Sequence, residues 1–402
     1  MTKKINRVLT VVLLAILLTV CVGSLATYGR TYARGFFKTY TTALPKDPTI
    51  FDNLKARITK LSGFLEQYLF LQPEFTEINT TAQYLTGKDL LSVSYGNMIT
   101  LDTGELYTLE PALDLDLGLQ SFIDQKNGYD GKDIGFFYVY AHSLLYDGVE
   151  LPAGAEVFDY NIENADHIVS TLRGAGVNVI DSRDVYREQG LTVRDANNVT
   201  DYHWRHRIAL ASTYALAKEI AEKTDVPAAY ENLAFENFDV EVVDRIMFGK
   251  YGQRVGSLNL ALDDVWLMTP EYETDYTVQI LTGKKLEERS GSFADAVIHR
   301  EMLDTDRYGR ALEANYVYGD YRSIAHYVNS CAPEGKALVI RDSFGTPVGS
   351  FLSLAMRDVY SVDLRYTDKT LDQWVEEVDP DVVVYAYSQN MILTLQGQIG
   401  ED

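Results

Sequence analysis

Ala337-Leu338-Val339-Ile340 runs without a charge into a polar corner, Arg341-Asp342-Ser343, and on into Phe344-Gly345-Thr346-Pro347. A short apolar run bounded by turn residues reads as a buried strand. Pro347 suits the first turn of a helix, where its missing N–H costs nothing, and the apolar segment from Val348 to Met356 supplies that helix. Ser343 therefore falls between a strand end and a helix start. Backbone N–H groups and the helix dipole favour negative charge at such a corner, so an oxyanion forming beside Ser343 would be stabilised. An Asp-Ser pair is also a common helix cap, and the serine alone decides nothing.

The rest of the chain repeats the strand-then-helix alternation. Gly135 to Tyr140, Val177 to Ile180, Val265 to Met268, Tyr276 to Leu281, Tyr360 to Val362 and Val382 to Tyr385 read as strands. Ala165 to Gly174, the Ala-rich Ala209 to Lys223, Tyr321 to Val328 and a segment from Leu371 read as helices. Such alternation argues for a mainly parallel α/β sheet flanked by helices, with ligands at the carboxyl ends of the strands. Asn53 to Tyr68 has helical spacing in Leu54, Ile58, Leu61 and Leu65, and Leu101 to Leu106 carries a hairpin signal. Leu113 to Leu117 alternates acidic and apolar residues, which leaves its structure open.

Lys3, Lys4 and Arg7 precede an uncharged apolar run from Val8 to Ala26, long enough to span a bilayer as a helix. The basic flank belongs on the cytoplasmic side, which puts the remainder outside. Ser24-x-Ala26 is also a plausible cleavage site for a signal peptide; the length of the run favours an uncleaved anchor. The expected organisation is an anchor or signal over residues 1–27, a connecting and helical segment over 28–94, and the main domain over 95–402. The net charge of −22 argues against nucleic acid as a partner. The two cysteines, Cys21 and Cys331, make neither a disulfide scaffold nor a zinc site. His142, His167, His299 and His326 lack metal-like spacing. Phosphate-loop, His-Glu-x-x-His and dinucleotide fingerprints are missing from the sequence, and no cofactor is implied.

A second stretch gives the serine a context. In Val199-Thr200-Asp201-Tyr202-His203-Trp204, Asp201 and His203 are two apart, a spacing that puts both on one face of an extended segment. A carboxylate beside an imidazole fixes its tautomer and stabilises the imidazolium, and a serine at a strand–helix corner is a group such a pair would activate. His206 is a second candidate base. The plainer alternative is that Asp201 caps the following helix and His203 is an ordinary polar residue.

Thr200-Asp201-Tyr202-His203-Trp204 followed by an Ala-rich helix resembles the Thr-Asp-x-His-Trp signature of the alginate O-acetyltransferase group, and within it the branch called DHHW proteins. Val339 to Gly345 is similar to that family's late Asp-Ser-aromatic block, and Asp363-Leu364-Arg365-Tyr366 to a recurrent Asp-x-Arg-Tyr element. Phe136 to Pro152, Gly256-Ser257-Leu258 and Asp263-Asp264-Val265 resemble further shared segments, so the likeness spans roughly residues 95 to 395. Tyr202 replaces the first His of the branch's name, Arg205 a common Thr, and Arg341 the Gly of many SGNH hydrolases. Gly319-Asp320 stands where relatives often carry Gly-Asn, and an ionised Asp there would repel an oxyanion.

The resemblance implies an SGNH-hydrolase-like fold with the nucleophile block moved late in the chain. It also implies Ser343 as nucleophile, His203 as general base and Asp201 as its orienting carboxylate. The expected activity is transfer of acetyl groups to hydroxyls of an extracellular polysaccharide, beside a membrane-bound O-acyltransferase partner that supplies them. A glycan O-acetyl esterase with the same three residues, or a non-catalytic glycan-binding or scaffold protein, is the alternative.

Overall fold

The computed structural model describes residues 2–41, 58, 69–88, 90–93, 96–101, 104–142, 151–155, 157–256 and 260–395. The expected helix over Asn53–Tyr68 lies outside these residues apart from Ile58, as do the hairpin tip Asp102-Thr103, most of the loop before Pro152, and Ser257-Leu258. The chain divides into two compact units, Met1–Thr86 and Gly87–Asp402.

In the first unit one helix runs from Thr2 to Thr41, 40 residues, a length of about 60 Å at 1.5 Å per residue. Its stretch Thr10–Gly35 is long and apolar enough to cross a membrane by length and composition. The connecting segment expected to begin at Tyr28 is thus helical as far as Thr41. A second helix, Gln72–Leu85, starts with a proline in its first turn. Phe70 N–H, just before it, donates to Ser24 Oγ of the long helix at 2.9 Å.

The second unit opens with a small antiparallel sheet of β1 (Leu90–Val93), β2 (Gly96–Thr100) and β3 (Leu106–Thr108). Its β2–β3 pairing realises the hairpin signal. Leu113 to Leu117 is neither strand nor loop throughout: it leads into the helix Asp116–Asn127. The strands that follow are β4 (Gly135–Tyr140), β5 (Asn178–Asp181), β6 (Phe238–Met247), β7 (Asp263–Pro270), β8 (Tyr276–Thr282) and β9 (Lys285–Gly291). The last four are β10 (Ser323–Asn329), β11 (Lys336–Arg341), β12 (Asp358–Val362) and β13 (Val382–Tyr387).

Eight of these form one sheet in the order β5-β4-β13-β11-β12-β10-β8-β9, and β6 and β7 pair separately. The first five run parallel; β10, β8 and β9 extend the sheet by antiparallel pairing. Apolar clusters cover the two faces, one built on Val339, Val348 and Leu210, the other on Leu338, Phe122 and Ile168. β11 and β13 sit at the centre and are buried on both faces, hence their unbroken apolar runs Ala337–Ile340 and Val382–Val384.

Tyr321 to Val328 is not the expected helix. Ser323, Ala325, Tyr327 and Asn329 are buried while Ile324, His326 and Val328 are half-buried, a period of two that belongs to β10. Val265 to Met268 is a strand, but one outside the main sheet.

One local device recurs three times at the ends of sheet strands. In Asp181-Ser182-Arg183, Asp320-Tyr321-Arg322 and Asp363-Leu364-Arg365 the carboxylate accepts the backbone N–H of the arginine two residues on, at 2.9, 3.0 and 3.0 Å. The same carboxylate then takes the arginine's Nε and Nη2. Asp181 ends β5 and Asp363 follows β12; Asp320 precedes the antiparallel β10. All three therefore lie on the edge of the sheet where β11 ends and Ser343 begins.

Candidate active site

Ser343 follows the last residue of β11, and its neighbours leave it little freedom. The Asp342 carboxylate accepts Phe344 N–H at 2.8 Å and Gly345 N–H at 3.3 Å, closing the corner. Its other oxygen takes Ser388 N–H at 3.0 Å and Ser388 Oγ–H at 2.6 Å, tying the corner to the end of β13. Gly345 is required by space, because a Cβ there would stand 2.4 Å from the Ala386 carbonyl oxygen. These bonds correct one expectation. The N–H groups of Phe344 and Gly345 are engaged by Asp342 and are not open to an oxyanion, whereas Ser343 N–H has no protein partner among the described residues. Asp342 and Phe344 are buried; Ser343 is half-buried and reachable.

The second stretch is a loop closed at its neck by a bridge between Asn197 and Trp204 and by Arg205 N–H donating to the Ala196 carbonyl at 2.7 Å. Almost all of the loop is buried, so its polar groups need partners. Asp263, at the start of β7, supplies several. It accepts Val199 N–H at 2.7 Å, Thr200 N–H at 2.8 Å, Thr200 Oγ–H at 2.7 Å and Arg205 Nη2 at 3.1 Å. Asn198 Nδ2 donates to the His203 carbonyl at 2.9 Å. Arg205 thus pairs with the carboxylate that shapes the loop.

Asp201 and His203 meet within this loop. Asp201 Oδ1 accepts His203 N–H at 2.9 Å and lies 2.5 Å from His203 Nδ1; Asp201 Oδ2 accepts Lys250 N–H at 2.7 Å. The pairing expected from an extended segment is made instead by a side-chain turn. Asp201 is not the cap of the next helix, whose cap position is Arg205. Burial pushes the Asp201 carboxyl up, and this is the largest single effect. The His203 charge and the hydrogen bonds from His203 and Lys250 together outweigh it, so the net direction is down.

The two stretches converge: His203 Nε2 is 2.9 Å from Ser343 Oγ. A carboxylate only accepts, so the Nδ1 proton points at Asp201 and Nε2 is left to accept from the serine hydroxyl. Trp204 Nε1–H donates to the Phe344 carbonyl at 2.9 Å, a second tie between the blocks. Tyr202, Phe344 and Tyr316 surround the imidazole at ring distances of 4.3, 4.6 and 5.5 Å.

His206 does not share the site. Its Nε2 lies 3.0 Å from the Asn315 carbonyl, and burial lowers its pKa to about 4. His142 is buried against Ser182 and Asn197, and His167, His299 and His326 each face a carboxylate. Asp320 also differs from expectation. Its carboxylate is held by Arg322 through N, Nε and Nη2, so its charge is neutralised within its own turn. Asp263, Asn198 and Asp342 hold the site but were not singled out as site residues from the sequence. A lone carboxylate sixty residues from the loop it binds gives no local signal.

No family model matches the sequence, and no curated protein matches it either. Solved structures do. A DHHW family protein from Eubacterium siraeum superposes with a TM-score of 0.59 at 16% identity, over 77% of this chain and 96% of that one. PatB1 of Bacillus cereus matches with a TM-score of 0.59 at 17% identity, over 73% of this chain and 96% of that one. The same protein carrying a sulfonyl adduct matches with a TM-score of 0.57 at 15% identity, over 75% and 96%. The fold expected from the resemblance is therefore the fold this chain has.

Proposed function

We propose that the protein is a membrane-anchored O-acyltransferase of the cell exterior, transferring acetyl groups to a polysaccharide through an acyl-Ser343 intermediate. The observation that carries this reading is the unbroken series Asp201, His203 and Ser343, with contacts of 2.5 and 2.9 Å. The shared fold with a DHHW family protein and with PatB1, which is known with a sulfonyl adduct, supports it.

In the reaction Ser343 Oγ attacks the acyl carbonyl carbon while its proton passes to His203 Nε2. Asp201 stabilises the imidazolium through the Nδ1 proton. The carbonyl oxygen, now negative, takes a hydrogen bond from Ser343 N–H. As the intermediate collapses, the bond from the carbonyl carbon to the departing group breaks and His203 gives that group the proton, leaving acetyl-Ser343. A sugar hydroxyl then enters, gives its proton to His203 and attacks the acyl-serine carbonyl. Ser343 leaves with that proton, and an acetylated sugar is formed. The membrane-bound O-acyltransferase partner supplies the acetyl group, and the N-terminal helix keeps this chain beside it.

The test uses the full chain with p-nitrophenyl acetate, with and without an oligosaccharide acceptor. Release of p-nitrophenolate and a 42-dalton increment on the Ser343 peptide are expected. Ser343→Ala and His203→Ala are expected to remove both, a loss on the order of 10³-fold or more. Equal turnover by wild type and Ser343→Ala would end the proposal. Acyl transfer to water that no acceptor diverts would turn it into an esterase.

A further inference from the structure

From His203 a row of tyrosine rings leads away to the surface. Tyr316 lies 5.5 Å from His203, Tyr321 4.7 Å from Tyr316, and Tyr366 6.1 Å from Tyr321. Exposure rises along the row: Tyr316 is 4% exposed, Tyr321 is half-buried and Tyr366 is 46% exposed. The outer two belong to the Asp-x-Arg turns. Tyr321 sits between Asp320 and Arg322, and Tyr366 follows Arg365; each arginine stands by its neighbouring ring, at 5.3 and 5.9 Å.

Arg341 fixes this row to the nucleophile. It is the last residue of β11, fully buried, and two residues before Ser343. Its Nη1 donates to the Tyr321 carbonyl at 2.8 Å and its Nη2 to the Ser323 carbonyl at 2.6 Å. Its Nε donates to Ser361 Oγ at 3.2 Å, and Nη1 lies 3.7 Å from Asp363 Oδ2. One guanidinium thus holds both turns in register with the corner that carries Ser343.

We propose that Tyr321 and Tyr366, backed by the buried Tyr316 that links them to His203, form the subsite that receives the acceptor, and that the acceptor is a chain of uncharged pyranose sugars. This rests on the acyl-transfer reading of Ser343. A tyrosine offers an apolar ring face for the C–H face of a sugar and a hydroxyl for its oxygens. Arg322 and Arg365 engage their own aspartates through Nε and Nη2, and among the described residues each Nη1 is left to donate to sugar hydroxyls. The choice of an uncharged chain follows from charge. Arg322 and Arg365 are each already paired with a carboxylate, Asp320 and Asp363, and the chain as a whole carries −22, so a polyuronate meets net repulsion.

The test is binding of a β-1,4-linked N-acetylglucosamine hexamer to the full chain in lipid nanodiscs, followed by calorimetry, with a hexauronate as comparison. The N-acetylglucosamine hexamer is expected to bind. Tyr366→Ala and Tyr321→Ala are each expected to weaken it about 3- to 10-fold, the range one aromatic contact supplies. Tyr308→Ala, at an exposed tyrosine outside the row, is expected to leave binding unchanged. Tyr366 projects far enough into solvent that its removal spares the fold. Absence of binding, binding indifferent to both substitutions, or tighter binding of the hexauronate would each overturn the subsite. Ser343→Ala, assayed alongside, is expected to bind the hexamer while losing acyl uptake. Failure of the acyl-serine and failure of the subsite therefore read out separately.

Discussion

The acyl transfer proposed for Ser343 depends on how closely single atoms are held. Asp201 is confined on one side by His203 and on the other by Gly249, where a Cβ would stand 2.3 Å from both Asp201 Cβ and Oδ2. Gly249→Ala is therefore expected to push the carboxylate off the imidazole while the chain stays folded. Acyl uptake from p-nitrophenyl acetate should fall at least tenfold, toward the roughly 10⁴-fold seen when a triad carboxylate is lost. Full activity in a folded Gly249→Ala protein would show that Asp201 has room to move. The three central residues were legible in the sequence because chemistry restricts their types and a short motif brackets two of them. Asp320 was misread for the opposite reason. A position in a linear pattern says what residue is present, and only the fold says that Arg322 occupies it. Asp263 was invisible as a support, since its partners Val199 and Thr200 offer backbone groups that carry no sequence mark.

Among the elements, β10 shows most plainly where the sequence misleads. Its buried positions are Ser323, Ala325, Tyr327 and Asn329, with a buried serine and asparagine where a strand usually places aliphatic residues. The alternation is real but muted, and a helical reading competes with it. β9 carries Lys285, Glu287, Glu288 and Arg289 on an edge, where charge guards against pairing with another chain. The central strands are legible because they touch no water. Arg341 is the exception within them, a buried cation at the end of β11 that burial pushes below the usual guanidinium range. Arg341→Met should leave the Tyr321 and Ser323 carbonyls and Ser361 Oγ without this donor, and Asp363 with Arg365 alone, a loss of about 3 kcal/mol or more. A falling denaturation midpoint reads this directly; a change under about 1 kcal/mol would mean that other donors take over.

At the scale of the whole molecule, alternation of strand and helix was enough to anticipate the sheet, but not the antiparallel extension through β8, β9 and β10. The N-terminal helix is the second large feature. Its apolar stretch, Thr10–Gly35, is 26 residues, longer than the roughly 7–15-residue apolar core of a signal peptide. The protein is expected to sediment with membranes, resist extraction by high salt, and keep its first residues; a mature chain beginning near Ala26 would show cleavage instead. The Asp-x-Arg turns carry a different consequence. In each, the bonds that make the turn belong to the first and third residues, and the middle one, Ser182, Tyr321 or Leu364, contributes no bond to that frame. At Tyr321 the side chain is thus exchangeable without loss of the turn, whereas Ser182 is buried with its Oγ beside His142. The bond from Arg341 goes to the Tyr321 carbonyl, which any residue supplies, so the glycan preference proposed for this rim can drift by single substitutions without first losing the proposed reaction.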